Sequence, residues 1–330
     1  MLYTVDLSQD IWKENKYISS TLQKKIEETL KKKEKVLLYI NKRWGYSSLV
    51  CEDCSFLYGC PRCDVSLSVH THPEKLVCHM CGYEESFPLS CSKCTGTHLR
   101  KVWVGTQQIE WSLKKLFPYA QSFRFDSDVI DTKSSKSEAL KKLQESDIII
   151  GTKMLTTGFD LPNVGLIAVI LLEQELSFPQ YNKEEKLYTS LKQLSGRGER
   201  KGQETDIILQ TFIPKNPLIH LIVEGNYKVF LTETLRERKE FEYPPFTQMA
   251  TLDYRDMSKE KSLWFMQALE NKLRNLNYSE SVVIILNPTP FKKNNQYHTT
   301  LLLKTQNIRK FLTEIEAEIL RNPKLSLILE

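Results

Sequence analysis

The chain contains no G-x-x-x-x-G-K-[ST] phosphate loop and no Asp-Glu-Ala/Cys-His metal-binding segment, so nothing in it can hold Mg·ATP by itself. It also lacks a long apolar run. The longest, Leu166 to Leu172, is far too short to span a bilayer. Met1 to Asp10 has neither the charged start nor the apolar core of a signal peptide, so the expected location is the cytoplasm, with no membrane partner. No internal repeat or low-complexity tract is present, and cysteine is absent outside the stretch from Cys51 to Cys94. A net charge of +5 permits nucleic-acid binding without demanding it, because a solvated Lys-rich surface gives the same total. With 330 residues, 41% of them hydrophobic, the chain can build two or three domains with proper cores.

The eight cysteines fall as four C-x2-C pairs: Cys51/Cys54, Cys60/Cys63, Cys78/Cys81 and Cys91/Cys94. One such pair puts two thiolates on a tight knuckle, and two knuckles complete the tetrahedron that Zn²⁺ takes in closed structural sites. Two structural zinc ions are therefore expected. The competing reading is a disulfide framework, which the Lys-rich composition and the missing signal peptide disfavour. Residues Asp64 to Val77 read as two short alternating runs around Thr71-His72-Pro73-Glu74, the hairpin of a zinc ribbon. The inner four cysteines, Cys60, Cys63, Cys78 and Cys81, then share one ion, and Cys51, Cys54, Cys91 and Cys94 close around the other. The five residues between Cys54 and Cys60 make a sequential site cramped without excluding it. With eight thiolates available, His70, His72, His79 and His98 read as surface residues.

Around this cluster the pattern is α/β. Thr21 to Lys35 carries Leu22, Ile26 and Leu30 at helical spacing, and Val36 to Ile40 reads as a buried strand. Beyond the cysteines come helix 107–116, strand 122–125, helix 138–144, strand 148–151, strand 166–172, helix 183–194 and strand 206–212. Strands alternating with helices imply a parallel sheet covered on both faces. A helical stretch from Pro217 to Phe241, punctuated by Gly225-Asn226, stops at Tyr243-Pro244-Pro245-Phe246. After this boundary the order is strand 248–254, helix 259–276, strand 281–286, strand 297–304, helix 308–320 and strand 324–329. That βαββαβ order is the split arrangement of a ferredoxin-like domain.

Three segments carry candidate chemistry. Ile149 to Val164 is a strand ending in Gly151-Thr152 that opens into a loop with Gly158 and Asp160, and ligands of parallel sheets sit outside strand carboxyl ends. The bland reading is a connection whose glycines turn the chain. In Gln193-Leu194-Ser195-Gly196-Arg197-Gly198-Glu199-Arg200, helical geometry puts Gln193, Arg197 and Arg200 on one face, where guanidinium forks suit a phosphoryl group. The alternatives are a polar helix end, or a loop, since Gly196 and Gly198 each disfavour helix by about 1 kcal/mol. Gly105-Thr106-Gln107 feeds a helix N-terminus that either orients an anion or caps itself.

Taken together and in order, these motifs resemble the primosomal replication-restart helicases. The match begins at Leu37-Leu38-Tyr39-Ile40-Asn41-Lys42-Arg43-Trp44-Gly45-Tyr46 and includes all four cysteine pairs, Val104-Gly105-Thr106-Gln107, and the Gly151 to Val164 loop. It continues through Gln193 to Arg200, Tyr243-Pro244-Pro245-Phe246 and Asn287-Pro288-Thr289-Pro290. The resemblance implies a second RecA-like motor lobe of a superfamily 2 helicase (1–50 and 95–240), a zinc insertion with two tetrathiolate sites (51–94) and a C-terminal domain (241–330). It makes Arg197 and Arg200 the residues reaching a nucleotide, Gln193 their neighbour, and Gly105, Thr106, Gly151, Thr152, Gly158 and Asp160 the coupling to nucleotide and DNA. Branched or forked DNA, a first helicase lobe in cis or trans, and single-strand-binding and primosome proteins are the implied partners.

The resemblance also has breaks. ATP and Mg²⁺ are implied only together with a first lobe, which this sequence does not contain. Thr157 stands where a lysine is expected, Glu199 where a small residue is expected, and Phe291 to His298 where a basic stretch is expected. Two readings follow: half of an ATP-dependent DNA helicase, or a non-catalytic zinc-containing scaffold that binds DNA or protein.

Overall fold

Short runs of β-branched and leucine residues, such as Val36-Leu37-Leu38-Tyr39 and Ile148-Ile149-Ile150, are fully buried in strands, as a sheet covered on both faces requires. The structure, a computed structural model, describes residues 2–10, 17–40, 47–62, 65–71, 73–125, 133–152, 162–176, 180–198, 205–275, 282–288, 290–293, 295–316 and 322–329.

The elements begin with β1 (Leu2–Asp6), α1 (Ser20–Lys31), β2 (Lys35–Tyr39), β3 (Ser47–Cys51), β4 (Ser68–Thr71), β5 (Glu74–Val77), β6 (Glu84–Ser86) and β7 (Leu99–Val102). Next are α2 (Thr106–Leu116), β8 (Ser122–Phe125), α3 (Lys133–Glu145), β9 (Ile148–Gly151), β10 (Val164–Val169), α4 (Leu172–Leu176), α5 (Lys183–Gly198) and β11 (Asp206–Thr211). The remainder comprises α6 (Pro217–Glu224), α7 (Tyr227–Glu240), β12 (Gln248–Asp256), α8 (Lys259–Arg274), β13 (Val282–Leu286), β14 (Phe291–Lys293), β15 (Gln296–Thr305), α9 (Ile308–Glu314) and β16 (Leu325–Leu329).

Two units divide the chain. The first takes Met1–Tyr58, Pro88–Phe178 and Asn182–Tyr227; the second takes Gly59–Phe87, Pro179–Tyr181 and Lys228–Glu330. The first unit is built on a six-stranded parallel sheet in the order β1-β11-β10-β2-β9-β8. Right-handed crossovers fix the faces: β1 to β2 through α1 and β2 to β8 through α2 run the same way across the sheet, so α1 and α2 share one face. The returns through α3 and α5 place those helices on the other. In keeping with this, α1 packs on β2 and β10, and α2 on β8 and β9. Helix α1 starts at Ser19, whose hydroxyl accepts from the Leu22 amide at 3.0 Å, and buries Leu22 and Ile26.

In the second unit β12, β13, β15 and β16 form an antiparallel sheet in the order β13-β15-β12-β16, with β14 paired to β15. Its core joins Leu252, Tyr254, Leu301 and Leu303 to Met266 and Leu273 of α8 and Phe311 of α9. A smaller core gathers Tyr243, Met249 and Leu302 with Met80, Tyr181, Phe241 and Ile285. The fold class is therefore α/β with an added antiparallel domain, as expected. The strand expected over 166–172 ends at Val169 and its last leucine opens α4, while β1, at an edge of the sheet, and β14, paired to β15, stand where no strand was expected.

Candidate metal centres and strand-end residues

The cysteine pairs fold into repeated knuckles. In each, the first cysteine donates its amide five residues ahead: Cys51 to Phe56, Cys60 to Val65, Cys78 to Tyr83 and Cys91 to Gly96, at 2.7–2.8 Å. The residue after the second cysteine turns the chain back with positive φ, as seen at Ser55 (59°), Gly82 (71°) and Thr95 (60°). Gly82 could not be otherwise, because a Cβ there would overlap the Pro288 ring.

This backbone brings sulfurs together in two clusters. Cys51, Cys54, Cys91 and Cys94 have all four Sγ atoms within 4.8 Å of one another, with 3.7 Å for both Cys51–Cys94 and Cys54–Cys91. Cys60, Cys78 and Cys81 form the second cluster, with Cys60 and Cys81 at 3.6 Å; Cys63 lies outside the described residues. A tetrahedron with Zn–S bonds of about 2.3 Å has edges of about 3.8 Å, so the spacing and the all-thiolate donor set fit zinc. None of the seven described cysteines is in a disulfide. Burial raises the Cys51 thiol to about 12. Burial opposes ionisation of Cys91 too, but the Lys93 and Cys94 amides and the Cys51 and Cys54 thiols bring it down to about 7.

Among the described residues no histidine enters either cluster. His98 is exposed and pairs with Asp53 at 2.7 Å. His70 and His79, both expected at the surface, are instead half-buried and set Nε2 to Nε2 against each other at 3.1 Å. Burial first, then His70, hold His79 down at about 4, and burial lowers His70 as well, so this pair is neutral near pH 7. His72 lies outside the described residues.

Each cluster is anchored within its own unit. Beside the outer cluster, Glu52 forms an ion pair with Arg100, whose guanidinium lies 4.8 Å over the Phe212 ring at the end of β11. The Lys215 amide donates to the Ser55 hydroxyl at 3.4 Å. In the second unit, Asn287 donates to the His79 carbonyl at 2.7 Å, and the Tyr243 hydroxyl lies 3.2 Å from the Met80 sulfur.

The strand-end candidates are placed as follows. Gly151 is buried at the carboxyl end of β9, beside Tyr39 of β2, and Thr152 follows it half-buried. Gly158 and Asp160 lie outside the described residues. Gly105 is the N-cap of α2 and offers no capping side chain, while Thr106 is buried in the first turn. Helix α5 continues through Gly196 to Gly198, so Gln193, which is exposed, and Arg197 stand four residues apart on one helix. Arg200 and Glu199 lie outside the described residues.

Sequence reading did not find Glu173 and Gln174. Glu173 is fully buried in α4, and one carboxylate oxygen accepts from the Thr211 hydroxyl (2.6 Å) and the Phe212 and Ile213 amides (2.6 and 3.2 Å). Burial, only partly offset by these bonds, raises its pKa to about 7. Gln174 donates to the Val104 carbonyl at 2.9 Å, so α4 ties the end of β11 to the turn that starts α2. The only signal in the sequence is three polar residues, Glu173-Gln174-Glu175, closing an apolar run.

The profile described as the PriA DNA helicase Cys-rich region (CRR) domain matches residues 60–85. The chain is 35% identical over 275 residues to the replication restart protein PriA of Bacillus subtilis, covering 80% of this chain and 34% of that protein. To the protein of the same name from Haemophilus influenzae it is 31% identical over 320 residues, covering 95% of this chain and 44% of the relative. Among solved structures, Mss116p DEAD-box helicase domain 2 bound to an RNA duplex is similar at a TM-score of 0.32 and 13% identity, over 73% of this chain and 78% of that one. The chain thus spans less than half the length of the curated relatives it matches. It is a homologue of the replication restart protein PriA over about two fifths of that protein, and it carries the PriA Cys-rich zinc-ribbon region.

Proposed function

We propose that this chain is the second motor lobe, zinc insertion and C-terminal domain of an ATP-dependent DNA helicase for replication restart and primosome assembly. The observation that carries this reading is the match to PriA across 80–95% of the chain, combined with the lack of a phosphate loop. A first lobe, in cis or in trans, holds Mg·ATP. Arg197 and Arg200 reach across to the transferring phosphoryl group, with Gln193 beside them, and neutralise charge that grows in the transition state. Gly151 and Thr152, at the carboxyl end of β9, together with Gly158, Asp160, Gly105 and Thr106, couple that event to DNA. The two cysteine clusters hold one structural Zn²⁺ each, Cys63 completing the second. Forked DNA, single-strand-binding proteins and primosome proteins are the partners, and the cytoplasm is the location. Among the described residues no helix is long and apolar enough to cross a membrane.

A second reading, a non-catalytic DNA- or protein-binding scaffold, is favoured by Thr157, by Glu199 next to Arg200, and by the missing phosphate loop. The two separate on ATPase assays. The chain alone is expected to hydrolyse no ATP, and a separately expressed first lobe with a phosphate loop is expected to restore DNA-dependent hydrolysis when mixed with it. Absence of turnover in the mixture, with both parts folded, favours the scaffold.

A further inference from the structure

Helix α2 buries Ile109, Ser112 and Leu113 against the sheet, yet Trp111 on its outer side is 64% exposed and Tyr119, just past its end, is 67% exposed. Two large aromatic faces left in water on one short segment do nothing for the core. Their surroundings are cationic. The Lys115 ammonium lies 5.6 Å from the Trp111 ring centroid, and Lys31, at the end of α1, is within electrostatic reach of the Tyr119 hydroxyl. The buried Phe117 ring meets Tyr119 edge-on at 6.2 Å and steadies it. Because α1 and α2 share one face, their C-terminal ends meet at the amino edge of the sheet, away from Gly151 and Thr152. Lys31, Lys114 and Lys115 stand at these helix ends, with Lys32 and Lys33 next in sequence; Glu27 pairs with Lys31, on which Glu28 also acts, and Glu110 pairs with Lys114.

Aromatic planes set among lysines match one polymer chemistry: bases stack on the rings while phosphates meet the ammonium groups. We propose that the α1–α2 corner is a second contact surface for single-stranded DNA, with bases on Trp111 and Tyr119 and phosphates at Lys115 and the lysines ending α1. The proposal deepens the DNA reading above and rests on it for the identity of the polymer, though not for the location. A strand led here runs over the edge of the sheet opposite Gly151 and Thr152, so its path is longer than the motor contacts alone.

The test is fluorescence anisotropy of the 330-residue chain with a labelled oligothymidylate of about 16 nucleotides, at several salt concentrations. Trp111→Ala and Tyr119→Ala are each expected to weaken binding by about 5- to 150-fold, the range for one stacked base, and Trp111→Phe to restore most of it. Lys115→Ala is expected to flatten the log–log salt slope by about 0.7. Both aromatics are exposed, so thermal unfolding of the variants should match wild type. Unchanged affinity in both alanine variants overturns this surface and leaves the general DNA reading standing. Failure of the wild-type chain to bind the oligonucleotide at low salt overturns both. Competition by polyglutamate but not by unlabelled oligothymidylate also overturns it, marking the corner as a dock for acidic protein segments.

Discussion

Glu173 is the residue whose titration should be visible in the stability of the chain. Its folded pKa, about 7, lies above the ordinary glutamate value of 4.5, so between those pH values the native state holds a proton that the unfolded state has released. Its stabilising contribution is therefore complete below about pH 4.5 and is lost as pH rises through 7. The loss amounts to about 3 kcal/mol. Urea unfolding of wild type and Glu173→Gln at pH 5 and pH 8 checks this: the wild type should lose about 2.5 kcal/mol more than the variant, since part of the contribution is already gone at pH 5, and equal losses would refute it. Gly82 and Gly225 share a left-handed backbone at 71° and 69°, but Gly82 faces the Pro288 ring while Gly225 has open space around it. Gly225→Ala should cost about 1 kcal/mol for the backbone alone, and Gly82→Ala clearly more. Equal midpoints in denaturant would contradict the close packing at Pro288.

Elements were legible where periodicity was clean and obscure where burial was total. Leu22 and Ile26 marked α1, Gly225-Asn226 marked the break between α6 and α7, and C-x2-C spacing marked the knuckles. The run Leu166 to Leu172 gave no sign of where β10 stops, because a buried strand and a buried helix are equally apolar. With α4 hidden, so were Glu173 and Gln174. The five residues of β1 gain their meaning only from β11, about 200 positions away. In α5, helix geometry continues through two glycines whose intrinsic preference opposes it, which left the arginine segment open between helix and loop. Since the two sulfur clusters lie in different units, Cys51→Ser and Cys78→Ser should each lower bound zinc from two ions per chain to one, by metal analysis of the purified protein. Loss of both ions from either variant would show that the clusters are not independent.

The proposed function divides labour across the whole molecule: nucleotide bound on one lobe, charge stabilisation supplied by another. Under the proposed function this chain, whose sequence has no phosphate loop, takes the second of these roles. The most direct measurement is single-turnover ATP hydrolysis by the chain reconstituted with a first lobe and DNA, comparing wild type with Arg197→Ala, Arg200→Ala and Glu199→Ala, alongside a DNA-affinity titration at the same salt. Each arginine variant should lose about 10³- to 10⁵-fold in rate with little change in DNA affinity, because such residues act on the transition state rather than on the bound strand. Glu199→Ala should keep the rate or raise it by freeing Arg200 from a neighbouring acid. Wild-type rates from both arginine variants would contradict the motor-lobe account.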